Sequence, residues 1–192
     1  MISSSSNSKS ALRQKIRAAL EKISPAVRAV ESIDLCDRLE MQLHSAHTIL
    51  SFAPLPDELD VWPLLEKFLA AKKICALPAF DAATQIYSAR RVVNLATDTV
   101  IGKFGVREPA ASCAEIPLAG FDLVLVPGVA FDWHGHRLGR GKGFYDRILS
   151  AASGVKCGVA FDFQLVEHVP TEVHDAAVDF IATPSRCVRR KR

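Results

Sequence analysis

Residues 122–126 read Asp-Leu-Val-Leu-Val, and this run most restricts what the chain can become. A strand with one wet face alternates apolar and polar residues. Here four apolar residues follow one another, so both faces must be covered. Such a strand belongs inside a sheet with helices above and below it. The remaining periodicity agrees. Residues 9–22 predict a helix with Leu12, Ile16, Ala19, Leu20 and Ile23 along one side and Lys9, Arg13 and Arg17 along another. Ser24-Pro25 supplies an N-cap and an N1 proline for a second helix. Its expected buried stripe is Val27, Val30, Ile33, Leu39 and Leu43. Asp60 is expected to cap a third helix, with Val61, Leu64, Leu65, Phe68 and Leu69 inward. Residues 48–53, 74–78, 86–93, 155–161 and 178–183 predict strands, and residues 95–117 an irregular connection. A helix is expected over residues 143–152. The alternation predicts an α/β fold: a single three-layer domain with a mostly parallel central sheet flanked by helices.

Composition supports that domain. The chain has 192 residues, 49% hydrophobic and 23% charged, which excludes a disordered protein. No uncharged apolar run reaches the about 18 residues of a membrane helix. The first residues carry four serines and no apolar core, so no secretory signal is expected. Residues 1–8 are expected as a disordered lead-in, 9–185 as the domain and 186–192 as a basic tail. That tail holds five positive charges against a net +3 for the whole chain, so the rest stands at −2. A solvated, frayed terminus is expected, with no nucleic acid or membrane as partner. Five cysteines without a Cys-x-x-Cys pair suit free thiols used as small apolar residues in a reducing, cytoplasmic setting. The pairs His44/His47 and His134/His136 lack the acidic or thiol companions a metal site would want.

The loop after the buried run carries the chemistry. Gly139, Gly141 and Gly143 alternate with Arg140 and Lys142, Arg137 precedes them, and a helix follows. Glycines permit positive φ, so successive N–H groups can converge on one anion, and the helix adds its positive end. Arginine forks and a lysine point charge suit phosphate oxygens. Asp146, one turn further on, could hold Mg²⁺, which usually takes one or two carboxylates plus phosphate oxygens and water. The loop reads as a polyphosphate cradle. It is not a Walker A loop, since Lys142 is followed by Gly143, nor a G-x-G-x-x-G fingerprint, since Asp146 stands where the last glycine should. The expected fold is therefore Rossmann-like without either nucleotide signature.

Pro127-Gly-Val-Ala-Phe-Asp132, followed by Gly135 and by Arg137-Leu-Gly-Arg-Gly-Lys-Gly-Phe-Tyr-Asp-Arg147, resembles the 5-formyltetrahydrofolate cyclo-ligase family. Lys9-Ser-Ala-Leu-Arg13, Asp57-Glu-Leu-Asp60, Phe104-Gly-Val-Arg-Glu-Pro109, Gly158-Val-Ala-Phe161 with Gln164, and Pro170 through Asp175 to Asp179 are similar to its other segments, in order. The resemblance implies an ATP- and Mg²⁺-dependent ligase. It would convert 5-formyltetrahydrofolate to 5,10-methenyltetrahydrofolate by phosphorylating the formyl oxygen, N-10 then closing the ring. It implies ATP binding by Lys9, Arg13, Arg137, Leu138, Gly139, Arg140, Gly141, Lys142, Gly143, Phe144 and Tyr145. It implies substrate binding by Ala53, Glu58, Arg140, Gly141, Lys142, Gly143 and Phe144. Arg140 and Lys142 would be catalytic, and Asp146 and Asp179 would hold the metal. Asp179 fits only if the last strand is antiparallel or another path brings it round. Trp133 is either a pterin wall or a loop aromatic. A monomer is expected, with polyglutamylated substrate left open. A family relative acting on another small molecule keeps the loop and differs around Ala53 and Glu58. A nucleic-acid module is disfavoured by the −2 charge of the body.

Overall fold

The computed structural model describes residues 4–81, 86–102, 105–172 and 175–191. Residues 1–3 of the expected lead-in, Phe104, His174 and Arg192 lie outside the described residues. The helices are α1 (Ser4–Leu20), α2 (Pro25–Gln42), α3 (Trp62–Ala70) and α4 (Phe144–Ala151). The first strands are β1 (Thr48–Leu50), β2 (Ile74–Asp81), β3 (Ile86–Val92), β4 (Thr99–Ile101), β5 (Arg107–Pro109) and β6 (Glu115–Ile116). They continue with β7 (Leu123–Pro127), β8 (Ala130–Asp132), β9 (Arg137–Leu138), β10 (Val155–Val159), β11 (Leu165–Val166), β12 (Phe180–Ala182) and β13 (Cys187–Arg189).

The main sheet has eight strands in the order β13-β12-β10-β7-β1-β2-β3-β6. The inner five, β12 to β2, run parallel. The flanking β13, β3 and β6 are antiparallel to their neighbours. The apolar run becomes β7, near the middle. Its side chains divide by the period of two: Leu123 and Leu125 enter one core, Val124 and Val126 the other. Ile49 and Leu50 on β1, and Cys75 and Ala76 on β2, divide the same way. Two cores on two faces of one mostly parallel sheet make the three-layer α/β domain.

Several local expectations are corrected. Helix α1 begins at Ser4, so part of the lead-in is helical. Ser24 does cap α2, its Oγ accepting the Val27 N–H. The buried side of α2, however, is Ser32, Leu35, Cys36 and Leu39, whereas Val27, Val30 and Ile33 are 44%, 59% and 56% exposed. At about 100° per residue Val30 and Ile33 lie on the far side from Leu35 and Leu39, and Val27 lies on the flank. Ser32 occupies the buried side because its Oγ accepts the Asp60 N–H and donates to the Arg28 carbonyl. Asp60 accepts the Trp62 N–H, but Val61 is the residue at the cap of α3. The irregular connection contains the β4–β5 hairpin and β6. The tail is not frayed throughout: Cys187–Arg189 pair with β12 as an edge strand.

Gly158 on β10 has a steric reason. A Cβ there would stand 2.6 Å from the ring of the fully buried Phe131. Gly158→Ala should therefore lower stability by about 1–3 kcal/mol through overpacking. At about 2–4 °C per kcal/mol for a chain of this size, a thermal melt should fall by several degrees.

Candidate functional site

Parallel sheets bind ligands beyond the carboxyl ends of their strands. A cleft of about 410 Å³ lies there. Its floor is the segment after β1, from Phe52 to Glu58, and its sides are the end of β2 and the loop from Pro127 to Asp146. Lys9 and Arg13 enter from α1, one turn apart, and residues 106–108 from the β4–β5 hairpin.

The glycine loop has the backbone that its composition implied. Gly141 and Gly143 have φ of +98° and +65°, in the left-handed region. Gly143 is the N-cap of α4 and offers no side-chain cap, so the first N–H groups of α4 are left for a ligand. Arg13 Nε donates to the Gly139 carbonyl at 2.9 Å and ties α1 to the loop. Leu138 lines the cleft while belonging to the core at 1% exposure. Tyr145 packs against both cores, and burial pushes its hydroxyl pKa above the ordinary range. Phe144 meets Phe80 and Tyr87, with ring centroids at 5.9 and 5.3 Å, and closes an apolar wall.

The cations are more committed than the sequence suggested. Arg137 is buried and donates to Asp146 Oδ1 at 2.6 Å, bracing that carboxylate from below. Arg140 Nη2 reaches Asp57 Oδ1 at 2.7 Å and Glu58 Oε1 at 3.2 Å. Lys9 Nζ lies 2.8 Å from Asp175 and 3.2 Å from Glu172. Burial disfavours the Lys9 charge, but those carboxylates outweigh it and hold its pKa above the usual lysine range. Lys142 is exposed, with Nζ 5.8 Å from the Phe144 ring centroid.

Glu58 is nearly buried. Burial pushes its carboxyl upward, and the Leu55 N–H and Arg140 offset that only in part. Its Oε2 accepts the Leu55 N–H at 2.9 Å, so Oε1 is the oxygen toward Arg140 and the cleft.

Lys9, Arg13, Ala53, Glu58 and every residue from Arg137 to Asp146 thus face one cleft. Asp179 does not. β12 is parallel to β10, so Asp179, just before it, stands at the amino end of the sheet. Its carboxylate accepts the Lys156 N–H at 2.8 Å, a strand-to-strand tie. The acid of that C-terminal segment that does line the cleft is Asp175. Four extended residues span about 13 Å, enough to separate the two acids by the height of a short strand. Asp175 lay in a recognisable segment, but nothing in its spacing distinguished it from Asp179. Trp133 is no cleft wall; Lys191 lies over its ring at 5.7 Å, and its carbonyl accepts the Lys191 N–H. Phe80 and Tyr87 also line the cleft without having been assigned a role, and Asp57, outside its lining, reaches it through Arg140.

Fold and cleft together define an α/β domain with a glycine- and cation-rich loop at the carboxyl edge of a parallel sheet. The chain belongs to the 5-formyltetrahydrofolate cyclo-ligase family, whose model matches residues 5–184, and is accordingly a ligase. It is 36% identical over 149 residues to the 5-formyltetrahydrofolate cyclo-ligase of Escherichia coli K12, covering 73% of this chain and 80% of that one. It is 33% identical to the Mycolicibacterium smegmatis cyclo-ligase, covering 95% and 96%. The solved Aquifex aeolicus 5,10-methenyltetrahydrofolate synthetase superposes with a TM-score of 0.86 at 32% identity, covering 96% and 93%. No helix among the described residues is long and apolar enough to cross a membrane.

Proposed function

We propose that this protein closes 5-formyltetrahydrofolate to 5,10-methenyltetrahydrofolate at the expense of ATP, giving ADP and phosphate. The observation that carries the reading is the contact between Arg140 of the glycine loop and Glu58 of the acidic segment at 3.2 Å. A residue suited to phosphate and a residue suited to a folate N–H group meet at one point of one cleft. Two substrates bound to these two elements would meet there as well.

Lys9, Arg13 and Arg137 through Tyr145 bind the triphosphate in this reading. Glu58, Ala53 and Arg140 through Phe144 hold the folate, with Glu58 Oε1 accepting from its pterin. The formyl oxygen attacks the terminal phosphorus, and the bond to the ADP oxygen breaks. N-10 then attacks the formyl carbon, the phosphate leaves with the oxygen, and N-10 gives up its proton. An amide-like oxygen leaves poorly, and phosphorylation cures that. The protein's part is orientation and charge stabilisation, with no covalent nucleophile. Arg140 and Lys142 face the charge that spreads over the transferring group. Asp146 and Asp175 are the acids that would hold Mg²⁺. Two carboxylates lining the same cleft as a phosphate-binding loop fit a cation that completes its shell with phosphate oxygens and water. Bound there, Mg²⁺ would neutralise triphosphate charge. The same reading takes a monomeric, cytoplasmic enzyme without a nucleic-acid partner.

The test is the absorbance of methenyltetrahydrofolate formed from 5-formyltetrahydrofolate. Product should appear with Mg-ATP and vanish when ATP is omitted or EDTA added. Undiminished turnover in EDTA, or none with any metal, would overturn the reading.

A further inference from the structure

Asp57 lies beside the reaction without a role. It sits in the turn from Leu55 to Glu58, which the Glu58 N–H closes onto the Leu55 carbonyl at 2.9 Å. The Glu58 carboxylate returns to the Leu55 N–H, also at 2.9 Å, and Pro56 restricts φ at the second position. Arg28 on α2 donates to the Pro56 carbonyl, pinning the turn from outside. Asp57 is therefore presented on a turn closed twice and braced once.

The turn aims Asp57 at Arg140, 83 residues away. A guanidinium has five N–H donors in a rigid plane. The contacts to Asp57 and Glu58 both fall on Nη2, which has two of them. Nη1 and Nε make no hydrogen bond to a described residue. With Nη2 held at two points, the plane of the fork is set and three N–H groups remain for a ligand. Burial disfavours the Arg140 charge, but the two carboxylates outweigh it and hold the guanidinium firmly ionised. Asp57 and Glu58 do not duplicate each other. Glu58 is 14% exposed and Asp57 38%, so Glu58 is the one placed for the folate and Asp57 the one spared for the arginine.

Building on the proposed reaction, we infer that Asp57 is a positioning residue: it fixes the Arg140 fork so that Nη1 and Nε meet the transferring phosphoryl group while Glu58 holds the folate. One carboxylate pair then sets the distance between the charge stabiliser and the substrate.

The experiment is steady-state kinetics of Asp57→Asn, Asp57→Glu and Arg140→Ala, and of the Asp57→Asn/Arg140→Ala double variant, with melting curves for each. Asp57→Asn should lower kcat about tenfold, less than loss of Arg140 itself, and move KM for either substrate less than about threefold. Its melting temperature should shift by no more than about 2 °C, because a pair this exposed stabilises little. Asp57→Glu, which keeps the charge, should recover most of kcat. On the Arg140→Ala background, Asp57→Asn should change kcat less than about twofold, since a residue that acts through another has nothing left to act on. Unchanged kcat in Asp57→Asn would overturn the role. So would a loss that repeats in full without Arg140, or one that tracks a large drop in melting temperature. A wild-type protein that forms no methenyl product overturns the parent reading instead, and the role of Asp57 with it.

Discussion

Arg140→Ala should reduce kcat/KM by about 10²–10³, the usual cost of removing a preorganised stabiliser of developing charge. Lys142→Ala should fall in the same range. Far-ultraviolet circular dichroism should be unchanged for both. Lys142 is exposed, and Arg140 is tied to the acidic turn at the cleft rather than to either core, so neither is expected to hold the fold. Arg140→Ala has a second expected effect. Glu58 is nearly buried and its carboxyl is already pushed upward by that burial. Without the guanidinium it should be pushed further, and KM for 5-formyltetrahydrofolate should rise more steeply with falling pH than in the wild type. Lys142→Ala should not show that pH dependence. Either variant with near wild-type kcat/KM would remove its residue from the phosphoryl site.

The second large effect is expected at Asp146. Asp146→Ala should abolish the response of activity to Mg²⁺, and it should also weaken the fold. Its partner Arg137 is only 4% exposed, and Arg137 Nε is already buried without a hydrogen-bond partner among the described residues. Breaking a buried pair by removing one member costs about 3–5 kcal/mol. Asp146 is 30% exposed, so about 1–3 kcal/mol is the better expectation. Asp175→Ala should also weaken the Mg²⁺ response. Asp179→Ala should leave that response intact and lose only the strand tie to Lys156. Melting curves belong at saturating ligand and without it, because ligand at 100 times Kd adds about 2.7 kcal/mol and would mask the folding defect. A normal Mg²⁺ titration of Asp146→Ala would end its assignment as a metal ligand.

The contrast between Asp146 and Asp179 marks where reading residues in order stops being enough. Both acids matched a family pattern, and both were expected at the metal. The doubt already lay in strand direction: an acid at the start of a parallel strand is at the wrong end. Pairing of β12 with β10 decides that direction, and pairing is a relation between segments over 20 residues apart. Likewise Val27, Val30 and Ile33 have a helical spacing, but only the packing partner decides which side of a helix is inside.

What the chain determined by itself was whatever depends on neighbours in sequence. The apolar run of β7 had to be covered on both faces, and its alternate residues do enter two cores. Ser24-Pro25 had to begin a helix. Three glycines ahead of a helix permitted left-handed turns and open N–H groups, and Gly141 and Gly143, though not Gly139, take up that freedom. These are consequences of sterics and of periods of 2 and 3.6, which act within a few residues. The tertiary structure alone decided where the charges are balanced. Lys9 finds Asp175 across 166 residues, Arg140 finds Asp57 across 83, and Cys187–Arg189 find the edge beside β12. Side chains of one sign look alike along a sequence. Which opposite charge lies within 3 Å of each depends on how the chain crosses the sheet, and desolvation in the cleft makes that one choice decisive for the chemistry.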